Sequence, residues 1–404
     1  MPQHLPHLNR RHLLLAAGGS ALPSVWAQAS APWAEVEKAA RGQTVYWNAW
    51  AGSEQTNAYL QWVAQQVKSA HGITLQHVKI TDTADVVKRV RAEKTAGRAA
   101  GEGTVDLVWI NGENFAAMKR EGLLFGPWAE ALPNFRWVDT AGKPTTLNDF
   151  SVPTEGMESP WGMAQFTLFA DSKRLPQPPQ SMQALLALAR SQPGRITHPR
   201  LPDFHGTTFI KQALVEFAPD RQALAKPVTD AAFAAQTAPL WPFLDALRPH
   251  LWRGGKQFPL NAAAVRQMMA DGELLLALTF NPNEAANEIA AKRLPATVVS
   301  WQFEKGTIGN THFVAIPYNA RAKAGAQVVA NFLLSPAAQA RKADIAHWGD
   351  PTVLDVARLP APERALFGTG QLPGRVKNPA PTLPEPHASW VDPLEKAWAQ
   401  RYGA

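Results

Sequence analysis

Residues 44–80 read TVYWNAWAGSEQTNAYLQWVAQQVKSAHGITLQHVKI, and they decide the fold class. Thr44-Val45-Tyr46-Trp47 is a short β-rich run that breaks at Asn48 to Gly52. Ser53 stands where a helix N-cap belongs. Tyr59, Trp62, Val63 and Val67 follow at three- and four-residue steps, the spacing of an amphipathic helix. Gly72 suits its C-terminal stop, and ITLQHVKI (73–80) is a second strand. Further on, Asp82 or Thr83 opens a helix with Val86, Val87 and Val90 on one face. VDLVWI (105–110) is a third strand, apolar almost throughout, as in a parallel sheet covered on both faces. The order βαβαβ predicts an open sheet with right-handed crossovers.

Beyond it, Phe125 to Pro160 has weak periodicity and many turn residues, and Trp161 to Phe169 reads as a strand. Pro176, Pro178 and Pro179 mark a loop before Ser181 caps a helix. Gly194 to Thr197 begins a second sheet, and Thr207 or Thr208 starts the helix TFIKQALVEFA. LLLALTF (274–280) is a buried strand; Asn281-Pro282-Asn283 turns the chain into a short helix from Glu284. THFVAIP (311–317) is a late strand. AGAQVVANFLL (324–334) is a helix that Ser335-Pro336 interrupts before AAQARKA restarts it. The tail from Leu359 to Pro386 is Pro-rich, and residues 390–402 form a last helix packed by Trp390, Leu394 and Trp398.

Composition limits the function. With 46% hydrophobic and 18% charged residues in 404, the chain supports a large core. The absence of cysteine excludes disulfides, thiolate metal sites, a cysteine nucleophile and a lipid-modified N-terminal cysteine. Forty basic residues oppose 33 acidic ones with no Lys/Arg block of five, which argues against nucleic acid. Residues 1–29 read as a cleaved export signal: Arg10 and Arg11, a mildly apolar stretch from Leu13 to Ala21, then Ala27-Gln28-Ala29. The run from Asn9 to Leu14 resembles a twin-arginine signal, with Leu where Phe is common. No later run approaches the span of about 20 apolar residues that a membrane requires. G-x-S-x-G, Walker A, H-E-x-x-H and G-x-G-x-x-G are all missing, so an enzyme is not expected.

Three segments carry a resemblance: YWNAWAGSEQTNAYLQWV, VDLVWINGENFAAMKREGLLFGPW and ANFLLSPAAQARKAD (330–344). In this order they resemble the solute-binding proteins of ABC importers, nearest the YnjB-type branch, which is related to iron-, thiamine-, polyamine- and sugar-binding members. The resemblance implies a type II periplasmic binding protein: two α/β lobes, each with a mixed, mainly parallel sheet, joined by crossover strands that act as a hinge. Lobe one would be 30–160 plus 296–345, and lobe two 161–295 plus 346–404. It implies a soluble, unanchored periplasmic monomer without a cofactor, whose partners are a small-molecule ligand and an inner-membrane ABC permease with its ATPase. A secreted hydrolase of unrecognised type and a chemoreceptor-linked ligand sensor are the alternatives of other classes.

In open parallel sheets, ligands bind beyond the carboxyl ends of the strands, where loops and helix N-termini present free N–H groups. Here Trp47 and Trp50 offer flat faces, while Asn48, Ser53 and Glu54 offer hydrogen bonds; a cation or polar ring suits that mixture. Trp47 also fits a core strand, and Glu54 a helix first turn. Asn111, Gly112, Glu113 and Asn114 form the second loop, and Trp161 starts the crossover strand. In lobe two, Gly206-Thr207-Thr208 suits an anion and Asp203 a cation, with Phe280, Asn281 and Asn283 on the last loop. His198 and His205 do not have the spacing of a metal site. Ferric binders of this fold use neighbouring tyrosines, and Tyr46, Tyr59, Tyr318 and Tyr402 are scattered. A neutral or cationic organic solute (thiamine-like, an amine or a sugar) is the expected ligand.

Overall fold

The computed structural model describes residues 32–368 and 372–403; the expected signal segment, 1–29, lies outside them. A helix not foreseen from sequence comes first, α1 (Trp33–Ala40), and then β1 (Thr44–Trp50). This strand runs past Trp47 because Val45, Trp47 and Ala49 all turn into the core. Helix α2 (Glu54–His71) is capped by Ser53, whose Oγ accepts from the Thr56 N–H at 3.3 Å, and ends at Gly72 with φ 70°. Strand β2 (Thr74–Ile80) precedes α3 (Thr83–Thr95), where Asp82 caps the Ala84 N–H at 2.8 Å. Then come β3 (Leu107–Ile110) and α4 (Glu113–Arg120).

The turn-rich stretch contains a small hairpin, β4 (Asn148–Asp149) with β5 (Val152–Pro153). The single strand expected from Trp161 is two strands, β6 (Glu158–Gln165) and β7 (Thr167–Asp171), parted at Phe166. Ser181 caps α5 (Met182–Ser191) as expected. Gly194 to Thr197 is not a strand: Leu275 donates to the Arg195 carbonyl and Trp252 to that of Ile196, single bonds that do not extend into a ladder. Helix α6 (Phe204–Phe217) starts before Thr207, because Asp203 takes the capping role. The later strands are β8 (Leu276–Thr279), β9 (Val298–Trp301), β10 (Thr307–Ala315) and β11 (Thr382–Pro384). Helices Lys323–Leu333 and Pro336–Ala343 break at Ser335-Pro336 as read, and Val391–Tyr402 is the last helix.

The first sheet has the order β11-β10-β3-β1-β2, with β6 on the other side of β10. It is mixed: β1 is parallel to β2 and β3, whereas β10 is antiparallel to β3 and β6. The second sheet, β8-β7-β9, is antiparallel in both its pairings, where a mainly parallel sheet was expected. Phe166 alone separates a strand of the first sheet from one of the second, and residues 302–306 make the same crossing back. Its backbone is pinned, with the Phe166 N–H on the Ile308 carbonyl at 2.8 Å and its ring buried.

One apolar core lies around β7, β8 and α6 and includes Trp390, Leu394 and Trp398 of the last helix; another lies behind β1 and α2. Strand β9, expected with lobe one, pairs in the second sheet. Trp348, Val353, Leu354 and Leu359, expected with lobe two, pack in the core behind β1. The sequence pattern shows that these side chains are apolar but not which of two cores takes them. No helix among the described residues is long and apolar enough to cross a membrane.

Candidate functional site

At the carboxyl end of β1, Trp50 is 41% exposed and meets Trp109 edge-on at 6.5 Å. Trp47 points the other way, fully buried, 5.4 Å from Trp161. Trp161 is also fully buried, among Tyr59, Trp109 and Trp348. Both rings are therefore core. Asn48 is buried too, with Oδ1 accepting from Arg89 at 3.4 Å. Ser53 is occupied as a cap. Glu54 is exposed, and its charge reaches Arg293 of the opposite half.

Beyond β3, Gly112 sits at φ 63°, ψ −132° and donates its N–H to Asp149 Oδ2 at 2.7 Å. Few residues other than glycine adopt that conformation. A Cβ there would also lie 2.7 Å from the Phe150 ring. Gly112→Ala is expected to cost about 3 kcal/mol from strain plus overpacking, read as a lower urea midpoint at unchanged slope. Asn111 is half-buried, and Asn114 Nδ2 donates to Glu113 Oε1 at 3.3 Å, so neither caps α4. Glu113 opens that helix. The residue is exposed to solvent, although neighbouring protein atoms thin the water around its carboxylate. That loss of water raises its pKa; Lys211 opposes the rise, and Glu385 and Asp392 add to it.

In the opposite half, the start of α6 is already satisfied. Asp203 Oδ1 accepts from His205 and Gly206, and the Thr207 N–H bonds the Asp203 carbonyl. The expected anion cradle at Gly206-Thr207-Thr208 is therefore closed by the chain's own carboxylate. What α6 presents instead is a face at helical spacing: Phe204, Thr207, Thr208 and Lys211. Phe204 is 37% exposed and meets the buried Phe280 edge-on at 5.2 Å. Thr207 Oγ1 donates to Glu395 Oε1 at 2.6 Å, and Thr208 is buried with Oγ1 unpartnered among the described residues. Lys211, fully buried, pairs with Glu385 at 2.7 Å and lies 4.2 Å from the centre of the Phe150 ring. Burial lifts the Glu395 pKa to about 7 against its bond from Thr207, with Glu113 and Asp392 adding to the rise. Burial likewise raises Asp149, one of whose oxygens has no partner among the described residues.

The last loop is used differently. Asn281 and Asn287 donate their side-chain amides to the Trp348 carbonyl and Asn283 to that of Gly349, tying the start of the helix Glu284–Ala290 to the segment packed behind β1. His198 is buried against Phe209, and burial pushes its pKa down to about 4. Among the described residues no group of three or more His, Asp or Glu is arranged for a metal ion.

The structure thus brings Glu113 together with groups the sequence reading did not select: Asp149, Phe150, Phe204, Lys211, Glu385, Asp392 and Glu395. The spacing of Phe204, Thr207 and Lys211 was a usable signal. Nothing local in the sequence points from the C-terminal acids to a loop near residue 113.

The family profile described as bacterial extracellular solute-binding protein matches residues 62–365. Protein YnjB of Escherichia coli strain K12 is 51% identical over 371 residues, covering 92% of this chain and 94% of that one. Among solved structures, the fold matches the periplasmic binding protein AfuA from Actinobacillus pleuropneumoniae, described with fructose-6-phosphate bound, at TM-score 0.60 and 15% identity, over 89% of this chain and 98% of that one. It also matches the spermidine/putrescine substrate-binding protein PotD from Streptococcus pneumoniae at TM-score 0.60 and 14% identity, over 89% and 98%. The apo ferric ion-binding protein A of Pasteurella haemolytica matches at 0.61 and 13%, over the same shares. Identities this low speak for the fold alone.

Proposed function

Because the chain belongs to the bacterial extracellular solute-binding protein family, we propose that it is the capture component of an ABC importer whose solute is a cationic organic molecule. One observation supports the charge: Glu113, Asp149, Glu385 and Glu395 all lie within reach of the Lys211 ammonium, and Asp392 adds its charge to Glu113 and Glu395. Carboxylates held this close resist ionising together, and an incoming cation relieves them. Phe204 and Trp50 add exposed ring faces of the kind that hold organic cations. Of the three expected ligand classes, an amine or a thiamine-like molecule fits this environment better than a neutral sugar.

The solute-contacting set in this reading is Trp50, Glu54, Asn111, Glu113, Asn114, Phe204, Asp392 and Glu395, with Thr207 orienting Glu395. Lobe one takes 32–165, 307–367 and β11; lobe two takes 167–301, 372–381 and 385–403. Solute binds one lobe, the other closes on it, and the loaded form docks outside the cytoplasm on a permease served by an ATPase. The protein works as a monomer and turns nothing over.

The test is calorimetric titration with putrescine, spermidine, thiamine and fructose 6-phosphate at pH 8, beside mass spectrometry of the solute that co-purifies. A cation is expected to bind and change tryptophan fluorescence; a sugar phosphate binding in its place would overturn the charge assignment. The pH dependence is a second expectation. A cation binds the ionised form of Glu395, whose pKa in the free protein is about 7. Affinity should therefore be level above that pH and fall up to about tenfold per unit below it.

A further inference from the structure

The ammonium of Lys211 sits where a cationic solute would find its countercharges. It is 2.7 Å from Glu385 Oε2 and 4.2 Å from the centre of the Phe150 ring, with Phe204 at 5.7 Å. These are the elements of a cation site: a carboxylate and aromatic faces. They come from both halves. Lys211 and Phe204 lie on α6. Glu385 enters with the segment leading to the last helix, which is fixed to the second core through Trp390 and Leu394. Phe150 belongs to the β4–β5 hairpin, tied to the first half through the Asp149–Gly112 bond.

The hairpin is also docked on the C-terminal segment. Ser151 Oγ donates to the Glu385 carbonyl at 2.8 Å, and the Ala388 N–H to the Phe150 carbonyl at 3.0 Å. Phe150 and Ser151 hold φ 42° and 59°, a conformation that non-glycine residues adopt only under constraint. The lysine is thus clasped between the halves as a bound cation would be.

We propose that Lys211 is a tethered competitor: its ammonium occupies the acidic site and sets how strongly a solute cation is bound. The proposal rests on the cationic reading above and adds a residue that tunes it. A second positive charge entering this site meets the first and must displace it or bear the repulsion. Removing the lysine charge frees Glu385 for the solute. Removing the Glu385 charge instead leaves the ammonium unopposed.

The two substitutions therefore move affinity in opposite directions. With putrescine and thiamine as probes at pH 8, Lys211→Met is expected to tighten binding about tenfold and Glu385→Gln to weaken it about tenfold. Weaker binding in Lys211→Met, with circular dichroism showing native fold, would make Lys211 a direct solute contact and overturn the proposal. If that variant does not fold, Glu385→Gln decides alone, and tighter or unchanged binding overturns the proposal. A native protein that binds neither probe refutes the cationic reading and this inference together; one that binds, with variants of the wrong sign, refutes the inference only.

Discussion

Glutamine at both 113 and 395 is expected to remove measurable binding of any cationic solute, while either substitution alone weakens it about a hundredfold. Truncating one partner of a buried charge pair costs about 2–5 kcal/mol, and about 2.7 kcal/mol is already a factor of a hundred. Titration calorimetry at pH 8 reads the loss. Stability moves the other way, which separates a lost contact from a damaged fold. Burial holds the Glu395 pKa near 7, above its ordinary 4.5. A carboxyl raised in the folded state contributes fully below about pH 4.5, and that contribution is lost as pH rises through 7. Glu395→Gln should therefore be about 2 kcal/mol more stable than the native protein at pH 8 and equal to it near pH 4, read from urea unfolding. A variant that loses both affinity and stability at pH 8 would mark Glu395 as structural.

The second large effect lies away from the solute. Lys342 and Asp350 form a fully buried ion pair, with His312 Nε2 3.0 Å from the other Asp350 oxygen. Burial alone would favour the neutral forms. Burial lowers the Lys342 pKa, whereas Lys342 and His312 hold the Asp350 carboxyl below its ordinary range against burial; Lys342 also donates to the carbonyls of Asp350 and Pro351, bonds that support its charged form. Gly162 on β6 makes room for it: a Cβ there would collide with Asp350, His312 and Lys342. Asp350→Ala strands the ammonium and is expected to cost about 3–5 kcal/mol in urea unfolding. Combining it with Lys342→Met should recover most of that loss, since no charge is then left buried without a partner. A double variant as unstable as the single would assign the cost to packing instead.

Local chemistry was legible in the sequence, and long-range choice was not. Ser53, Asp82 and Ser181 were readable as caps because each needs only its next few N–H groups. The order from β1 to β3 followed from periodicity for the same reason. Asp203 displaced Thr207 as the cap of α6 because two acceptors competed within one turn and pattern alone does not rank them. Trp47 and Trp50 looked alike in sequence. Strand alternation sends Trp47 inward, and Trp50, the last strand residue, is left 41% exposed. Strands β9 and β11 are short, and their pairing partners lie far away in the chain. The meeting of Glu113, Lys211, Glu385 and Glu395 depends on two halves and a returning tail, and no window of sequence contains it.

The single residue between β6 and β7 has a mechanical consequence. Phe166 is tied to Ile308 at the start of β10, just past the neighbouring crossing, and carries no slack. Sliding one half past the other would tear both ladders at once, so any opening is expected as torsion shared among a few backbone angles at 165–167 and 302–306. Two of the covalent links between the halves are thus short and stiff, and they are expected to limit how wide a solute the mouth admits before any side chain has met it.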